Sequence, residues 1–468
     1  MPSLPLSMRG GAAGALAPFL LFLVGVGWLA LTGAPDERGF WPVLLAAMAV
    51  GLALARDRRR YSETLLIGMA QPMVLLMVMA WLLAGVLSTL MSAAGFVQAL
   101  VWAAGSLGAS GGAYAAAAFV VSASVATGTG TSFGTILVCG PLLYPGGAGA
   151  GVDPRVLAGA ILAGATFGDS ISPISDTTIA TSGTQGADIG GTVRARLKYV
   201  LPAGAAAAVA YFALAGLPET PAAAAAVETR ADGWPMALVP VLIVGMLLAR
   251  RHLVEALMAG IVSAIAIALP LGLLEPGDLL RVEPGSYRAE SLIIDGLERG
   301  VGVTVFTLLL VGLVAGLEAS GTLSRLVGAA PERTSAPRLA EARIVATVMG
   351  AVLVTTHSVV AVLTVGDYVR RAGETAGLAP YRRANLLDLA VCTWPFLLPY
   401  FLPTILMSGA TASGEAAGMP RISALDAGLW NFYSWGLLVM LAVAIAGGYG
   451  RREGRITRND RQKHERRG

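Results

Sequence analysis

Apolar runs long enough to cross a bilayer recur along the whole chain. A hydrocarbon core of about 30 Å needs roughly 20 apolar residues in a helix, and segments 13–32, 74–94, 199–217, 252–274, 301–320 and 429–448 come close to or exceed that length. In lipid every backbone N–H and C=O must be bonded inside the protein, so such runs fold as helices. Composition agrees: 55% of residues are apolar and only 13% charged, against about 25% charged in soluble domains. The run after Arg9 has the outline of a signal peptide. It is too long, lacks a small-x-small cleavage site and leads into a second run, so a retained first helix is expected. Cys139 and Cys392 both lie in apolar stretches, which implies no disulfide framework.

The chain also repeats itself. At an offset of 226, residues 95–183 align without gaps to 321–409, with 20 of 89 positions identical. Ala and Gly account for part of this. Thr129/Thr355, Ser132/Ser358, Pro154/Pro380, Pro173/Pro399, Thr178/Thr404 and Ser182/Ser408 are not explained by composition. The loop charges then give the relative orientation of the halves. RDRRR at 56–60, and Arg194, Arg196 and Lys198, have weakly charged counterparts. Neutral loops at 104–112 and 144–153 have basic counterparts, with Arg370, Arg371, Arg382 and Arg383 in or beside the second. Because basic loops stay in the cytoplasm, the halves are expected to face opposite sides: an inverted repeat, an architecture common among secondary transporters.

The expected fold is therefore an all-α polytopic membrane protein made of two inverted five-span units, each with a re-entrant hairpin and a broken helix. The first unit covers 1–217, with hairpin 113–143 and broken helix 155–183. An extracytoplasmic linker, 218–235, precedes the second unit at 236–450, with hairpin 344–369 and broken helix 384–409. One continuous helix is expected near 65–94. A basic tail, 451–468, has eight Lys or Arg against three acids and reads as cytoplasmic, as does the N-terminus, which places the chain in the plasma (inner) membrane. The net charge of +4 gives no reason to expect nucleic acid.

Chemistry concentrates where the helices should break. Residues 168–178 hold Asp169, Ser170, Ser172, Pro173, Ser175, Asp176, Thr177 and Thr178. Proline removes a backbone donor and clashes with the preceding turn. Carboxylates at bilayer depth are expensive and mark function by default. A hard cation takes carboxylate, carbonyl and hydroxyl oxygens, and a carboxylate holds either that cation or a proton. Asp169 is the first candidate for such a shared site and Asp176 the second, with Ser172, Ser175, Thr177 and Thr178 around them. The hairpin tips supply Thr129, Thr131 and Ser132 in one half and Thr355, Thr356, His357 and Ser358 in the other. Histidine's ordinary titration range makes His357 a candidate proton relay; a buried donor satisfied by structure is the plainer reading. The second broken segment has Pro395, Pro399 and Pro403 but no acid. Asp388, expected to pair with Arg383, and Thr404 are its candidates, while Asp367 is expected at the interface beside Arg370. No Arg or Lys is expected at mid-membrane depth, which favours a cation as substrate over an organic anion.

These residues resemble the NhaC-type Na⁺/H⁺ antiporters of the ion-transporter superfamily. FGDSISPISDTT at 167–178 is close to the family's GD-x-x-SP-x-SDTT pattern, and TGTSFGT at 129–135 resembles its GTSWGT segment. The likeness extends over roughly 60–445 and implies exchange of Na⁺ or Li⁺ for H⁺ by alternating access, with Asp169, Ser172, Ser175, Asp176 and Thr177 at the ion site. Na⁺ is then the transported ion, held by Asp169 and Asp176; no cofactor is implied, and a homodimer is compatible with the resemblance. The sequence departs from the family's pattern at Ile179, at Thr356-His357-Ser358 and at Trp394-Pro395-Phe396. A coupled carrier of a small organic anion or amino acid, of malate/lactate or tyrosine type, is the alternative. An intramembrane aspartyl protease is disfavoured, because its GxGD pattern finds Thr166 and Thr364 where glycine should stand; the chain is read as a carrier and not an enzyme.

Overall fold

The computed structural model describes residues 5–32, 37–106, 110–215, 231–249, 251–282, 289–323, 325 and 336–451. Most of the expected linker and all but Arg451 of the basic tail lie outside them. Six described helices are long and apolar enough to cross a bilayer: Gly11–Leu29, Val74–Ala93, Gly111–Thr129, Pro154–Gln185, Ile189–Leu214 and Leu292–Ala319. Pro380–Leu397 and Leu402–Ala417 make a seventh if that bent pair is counted as one span. The remaining expected crossings are shorter apolar helices: Phe40–Leu54, Trp234–Leu248, Leu253–Ala268 and Phe432–Gly447. The chain is an all-α multi-pass membrane protein, its strand content among the described residues being the short pair Arg281–Val282 and Ala289–Glu290.

The first half runs α1 (Gly11–Thr32), α2 (Phe40–Leu54), α3 (Arg58–Met69), α4 (Pro72–Ala93), α5 (Phe96–Ser106), α6 (Gly111–Thr129), α7 (Ser132–Leu143), α8 (Gly147–Ala150), α9 (Pro154–Ile171), α10 (Asp176–Gln185) and α11 (Ile189–Leu214). There follow α12 (Leu238–Leu248), α13 (Leu253–Ala268), α14 (Pro276–Leu279), α15 (Leu292–Ala319), α16 (Pro337–Thr355), α17 (Ser358–Thr375), α18 (Pro380–Val391), α19 (Leu402–Ala410), α20 (Ala424–Leu429) and α21 (Phe432–Gly447).

Local chemistry sets many of these boundaries. Ser110 accepts from Ala113 N at the start of α6, and Asp153 accepts from Arg155 N and Val156 N ahead of Pro154 in α9. Each satisfies N–H groups that a helix start leaves open. The expected helix over 65–94 is two helices. Pro72 opens α4 and Gln71 before it is extended (φ −60°, ψ 137°), as a residue preceding proline tends to be.

Helix boundaries recur 226 residues apart. α4 and α15 end at Ala93 and Ala319, α6 and α16 at Thr129 and Thr355, while α9 and α18 begin at Pro154 and Pro380, and α10 and α19 at Asp176 and Leu402. Gly95, Gly130 and Gly151 have positive φ, as do Gly321, Thr356 and Gly377. Thr356, at φ 53°, is the one non-glycine residue with positive φ among those described.

The centre is built on close backbone approach. α6 packs along α9, and a Cβ at Gly164 or Gly168 would collide with the carbonyls of Phe119 and Ala123. Small residues spaced by four let membrane helices approach this closely. At the turn between α6 and α7, a Cβ on Gly130 would meet the backbone of Ile174 at 2.8 Å. The turn therefore rests directly on the interruption between α9 and α10.

Candidate functional site

α9 ends at Ile171 and α10 starts at Asp176, and Ser172–Ser175 between them are not helical. Asp169 lies near the middle of the Pro154–Gln185 crossing and is buried. Ser175 Oγ donates to its Oδ1 at 2.5 Å and Ser132 Oγ, from the α6–α7 turn, to its Oδ2 at 2.9 Å. Ser175 also shares a hydrogen bond of 3.0 Å with Thr177. Ser172 donates to the Thr127 carbonyl at 2.8 Å and so ties the break to the turn.

Asp169 and its hydroxyl partners border a cavity of about 260 Å³; Ser172 lies outside its lining. Asp169, Ser175, Asp176, Thr177, Thr129, Thr131 and Ser132 line it from the first half, and His357 and Ser358 from the second. The sequence candidates of the first broken segment and both turns thus largely meet in one place. Phe133 and His357 stack with centroids 6.4 Å apart and planes 18° apart, so the two turns touch. His357 Nδ1 is buried and has no hydrogen-bond partner among the described residues.

Other candidates go elsewhere. Thr355 and Thr356 line a separate cavity of about 450 Å³ with Gln71 and Glu318, on which Asp176 and His357 also border. Thr404 is buried and donates to the carbonyls of Leu398 and Phe401, both at 2.6 Å; its hydroxyl closes its own break. Thr178 accepts from Arg196 Nη1 at 2.9 Å.

Asp388 corrects two expectations. It pairs with Arg196, at 2.7 Å and with both side chains fully buried, not with Arg383. Arg383 turns instead to Gln185, Glu374 and the Leu378 carbonyl. Nor is the membrane interior free of basic side chains. Arg196 Nη1 also donates to the Ser170 carbonyl at 2.8 Å, next to Asp169, and Nε donates to Asn385 at 3.0 Å. Sequence reasoning placed Arg194, Arg196 and Lys198 in a loop, but Asp188 caps α11 at Gly191 N, and all three lie inside that helix. A signal was present. Thr192, Arg196, Tyr199, Val200, Ala203, Ala207 and Tyr211 recur at helical spacing and are the buried face of α11. Asp367 pairs with Arg370 at 2.8 Å on the surface, as expected.

Among the described residues the cavity beside Asp169 has no Lys or Arg in its lining. Asp169 stands near the C-terminal end of α9, whose partial negative charge favours cations, while Asp176 is the first residue of α10. The arrangement offers carboxylate and hydroxyl oxygens around a space of about 260 Å³.

Parts of the chain are similar to known antiporters. A Malate-2H⁺/Na⁺-lactate antiporter of Bacillus subtilis is 39% identical over 87 residues, 19% of each chain. The Na⁺/H⁺ antiporter NhaC of Alkalihalophilus pseudofirmus is 36% identical over 89 residues, again 19% of each. The arginine/ornithine antiporter ArcD of Halobacterium salinarum is 36% identical over 103 residues, 22% of this chain and 21% of that one. The matches span about a fifth of these relatives. Residues 37–216, which contain Asp169, Asp176, Ser132 and Arg196, match the Na⁺/H⁺ antiporter family, so the resemblance read from the motif at 167–178 holds across that part of the chain.

Proposed function

We propose that the protein exchanges Na⁺ or Li⁺ for H⁺ by alternating access, with Asp169 as the group that holds one or the other. The observation that carries this reading is the setting of Asp169: a buried carboxylate at mid-crossing, held by two hydroxyls and facing a cavity lined by a second acid. A cation would displace the hydroxyl protons' hold on Asp169 and take Ser132, Ser175 and Thr177 oxygens as further ligands, while a proton would neutralise the carboxylate in its absence. Asp176 lines both cavities.

The same reading gives the two halves opposite orientation, with both turns re-entrant, both termini in the cytoplasm of the inner membrane, and the units divided at the 218–235 linker. Recurrence of helix ends 226 residues apart supports a repeat, and the alternating loop charges support its inversion. Ser132 bonding to the middle of a crossing supports a re-entrant turn, although α6 alone is long enough to cross.

A second reading has one observation in its favour. The cavity of about 260 Å³ is larger than a bare ion requires, and Phe133, Phe396 and Phe401 line part of it. A small organic ion coupled to Na⁺ or H⁺ would fit that space. Everted vesicles with a pH-sensitive dye, tested with Na⁺, Li⁺, K⁺, malate, lactate and tyrosine, separate the two. Dequenching by Na⁺ or Li⁺ alone, lost in Asp169→Asn protein that still reaches the membrane, is expected. Silence toward every cation, or full activity of that variant, defeats the exchange reading at this site.

A further inference from the structure

We infer that Arg196 is a tethered counter-cation, a positioning residue that keeps Asp388 permanently neutralised and so removes it from the exchange. The inference rests on the cation–proton reading above and adds which carboxylates take part.

Two fully buried carboxylates with Arg partners occur among the described residues: Glu341, held by Arg382 and Arg451, and Asp388, held by Arg196. Only the second touches the site. Thr177, which shares a hydrogen bond with Ser175, also lies beside Asp388, and Ser175 donates to Asp169. Asp388 is thus two hydroxyls away from Asp169. It is not in the cavity lining and neither is Arg196. Asp388 Oδ1 and Arg196 Nη2 are both buried without a hydrogen-bond partner among the described residues.

The guanidinium does two jobs with different partners. Through Nη1 it holds the Ser170 carbonyl and the Thr178 hydroxyl on either side of the first break. Through Asp388 and Asn385 it reaches the helix that leads into the second break. Arginine does not give up its proton in proteins, so its charge is fixed through the cycle. A carboxylate bonded to it at 2.7 Å, with both side chains fully buried, has no call on a mobile proton or cation. Asp169 and Asp176 are then the acids left to exchange.

The charged and titratable groups around Asp169 are Asp176 from α10, Asp388 from α18, Cys392 just beyond it and His357 from the α16–α17 turn, with Arg196 from α11 and Tyr433 from α21 behind them, beside Asp388 and Ser170. Removing Asp388 alone exposes Asp169 to an uncompensated positive charge. Removing both partners leaves it in a neutral setting, as before.

The test uses the full chain in proteoliposomes, with exchange followed from pH 5 to 9 and the proton-to-Na⁺ ratio measured by paired ion fluxes. Asp388→Asn should move the pH profile toward acid by about one unit. R196K should keep the profile in place, because the charge is kept. The neutral pair R196Q/D388N should return the profile to its original position and exchange the same number of protons per Na⁺ as the parent. A D388N profile that changes only in height overturns the inference. So does a folded neutral pair that has lost exchange or carries fewer protons per Na⁺, and this second arm decides the matter if D388N does not reach the membrane. Failure of the parent protein to exchange any cation would instead remove the reading beneath it.

Discussion

Residues 172–175 and residues 392–401 interrupt two helices whose starts lie 226 residues apart, and they spend the freed groups differently. At the first interruption the hydroxyls of Ser175 and Ser132 go to a carboxylate that faces a cavity. At the second, Thr404 goes to backbone carbonyls of its own segment, Phe396 and Phe401 pack edge to face at 5.2 Å, and the nearest acid is locked to Arg196. One break is kept adaptable and the other is closed. A repeated backbone plan therefore fixes where the chain breaks, and the side chains decide which break presents polar groups to a cavity.

The comparison breaks most sharply at the two aspartates. Asp169→Asn should abolish exchange while the detergent-solubilised protein unfolds within about 1 kcal/mol of the parent, since its partners are neutral hydroxyls. Asp388→Asn strands the buried Arg196 charge and should cost about 3–5 kcal/mol, seen as a lowered midpoint in thermal unfolding. Equal losses of stability would erase the distinction between an open and a locked carboxylate.

Hydroxyl deletions give a smaller effect that sharpens it. Ser175→Ala should raise the apparent KM for Na⁺ about tenfold, the equivalent of one hydrogen bond to a charged group of about 1.5 kcal/mol. Thr404→Val should leave that KM unchanged and cost about 1 kcal/mol of stability. A KM shift in the Thr404 variant would bring the second break into the site.

The two turns should give effects of opposite sign. Gly130→Ala places a methyl against Ile174 in a left-handed conformation and should cost about 2 kcal/mol. Thr356→Gly, at φ 53°, should gain about 0.5 kcal/mol, the left-handed penalty less glycine's entropy. Paired thermal unfolding of the two variants reads both signs.

Much of the first break was legible in the sequence because its signals are local. Pro173, flanked by hydroxyls and two acids, marks an interruption and its chemistry within a dozen residues, and Gly130 marks the turn that rests upon it. The second turn was legible only through the offset, since Thr356 and His357 carry no glycine. Arg196 was missed for the opposite reason. Its partners at 385 and 388 are far along the chain, and its neighbours Arg194 and Lys198 make it look like one more charge in a loop. The break in the 65–94 helix follows from Pro72 alone, but a long apolar run conceals it. The count of crossings was harder, because several described helices have only 15 or 16 residues.

Arg196 also has a mechanical consequence. Its four bonds tie the ends of α9 and α10 to the body of α18. Pulling these elements apart would leave a buried charge without its partner. Under the proposed exchange, both interrupted helices would therefore move as a single load and not open between themselves.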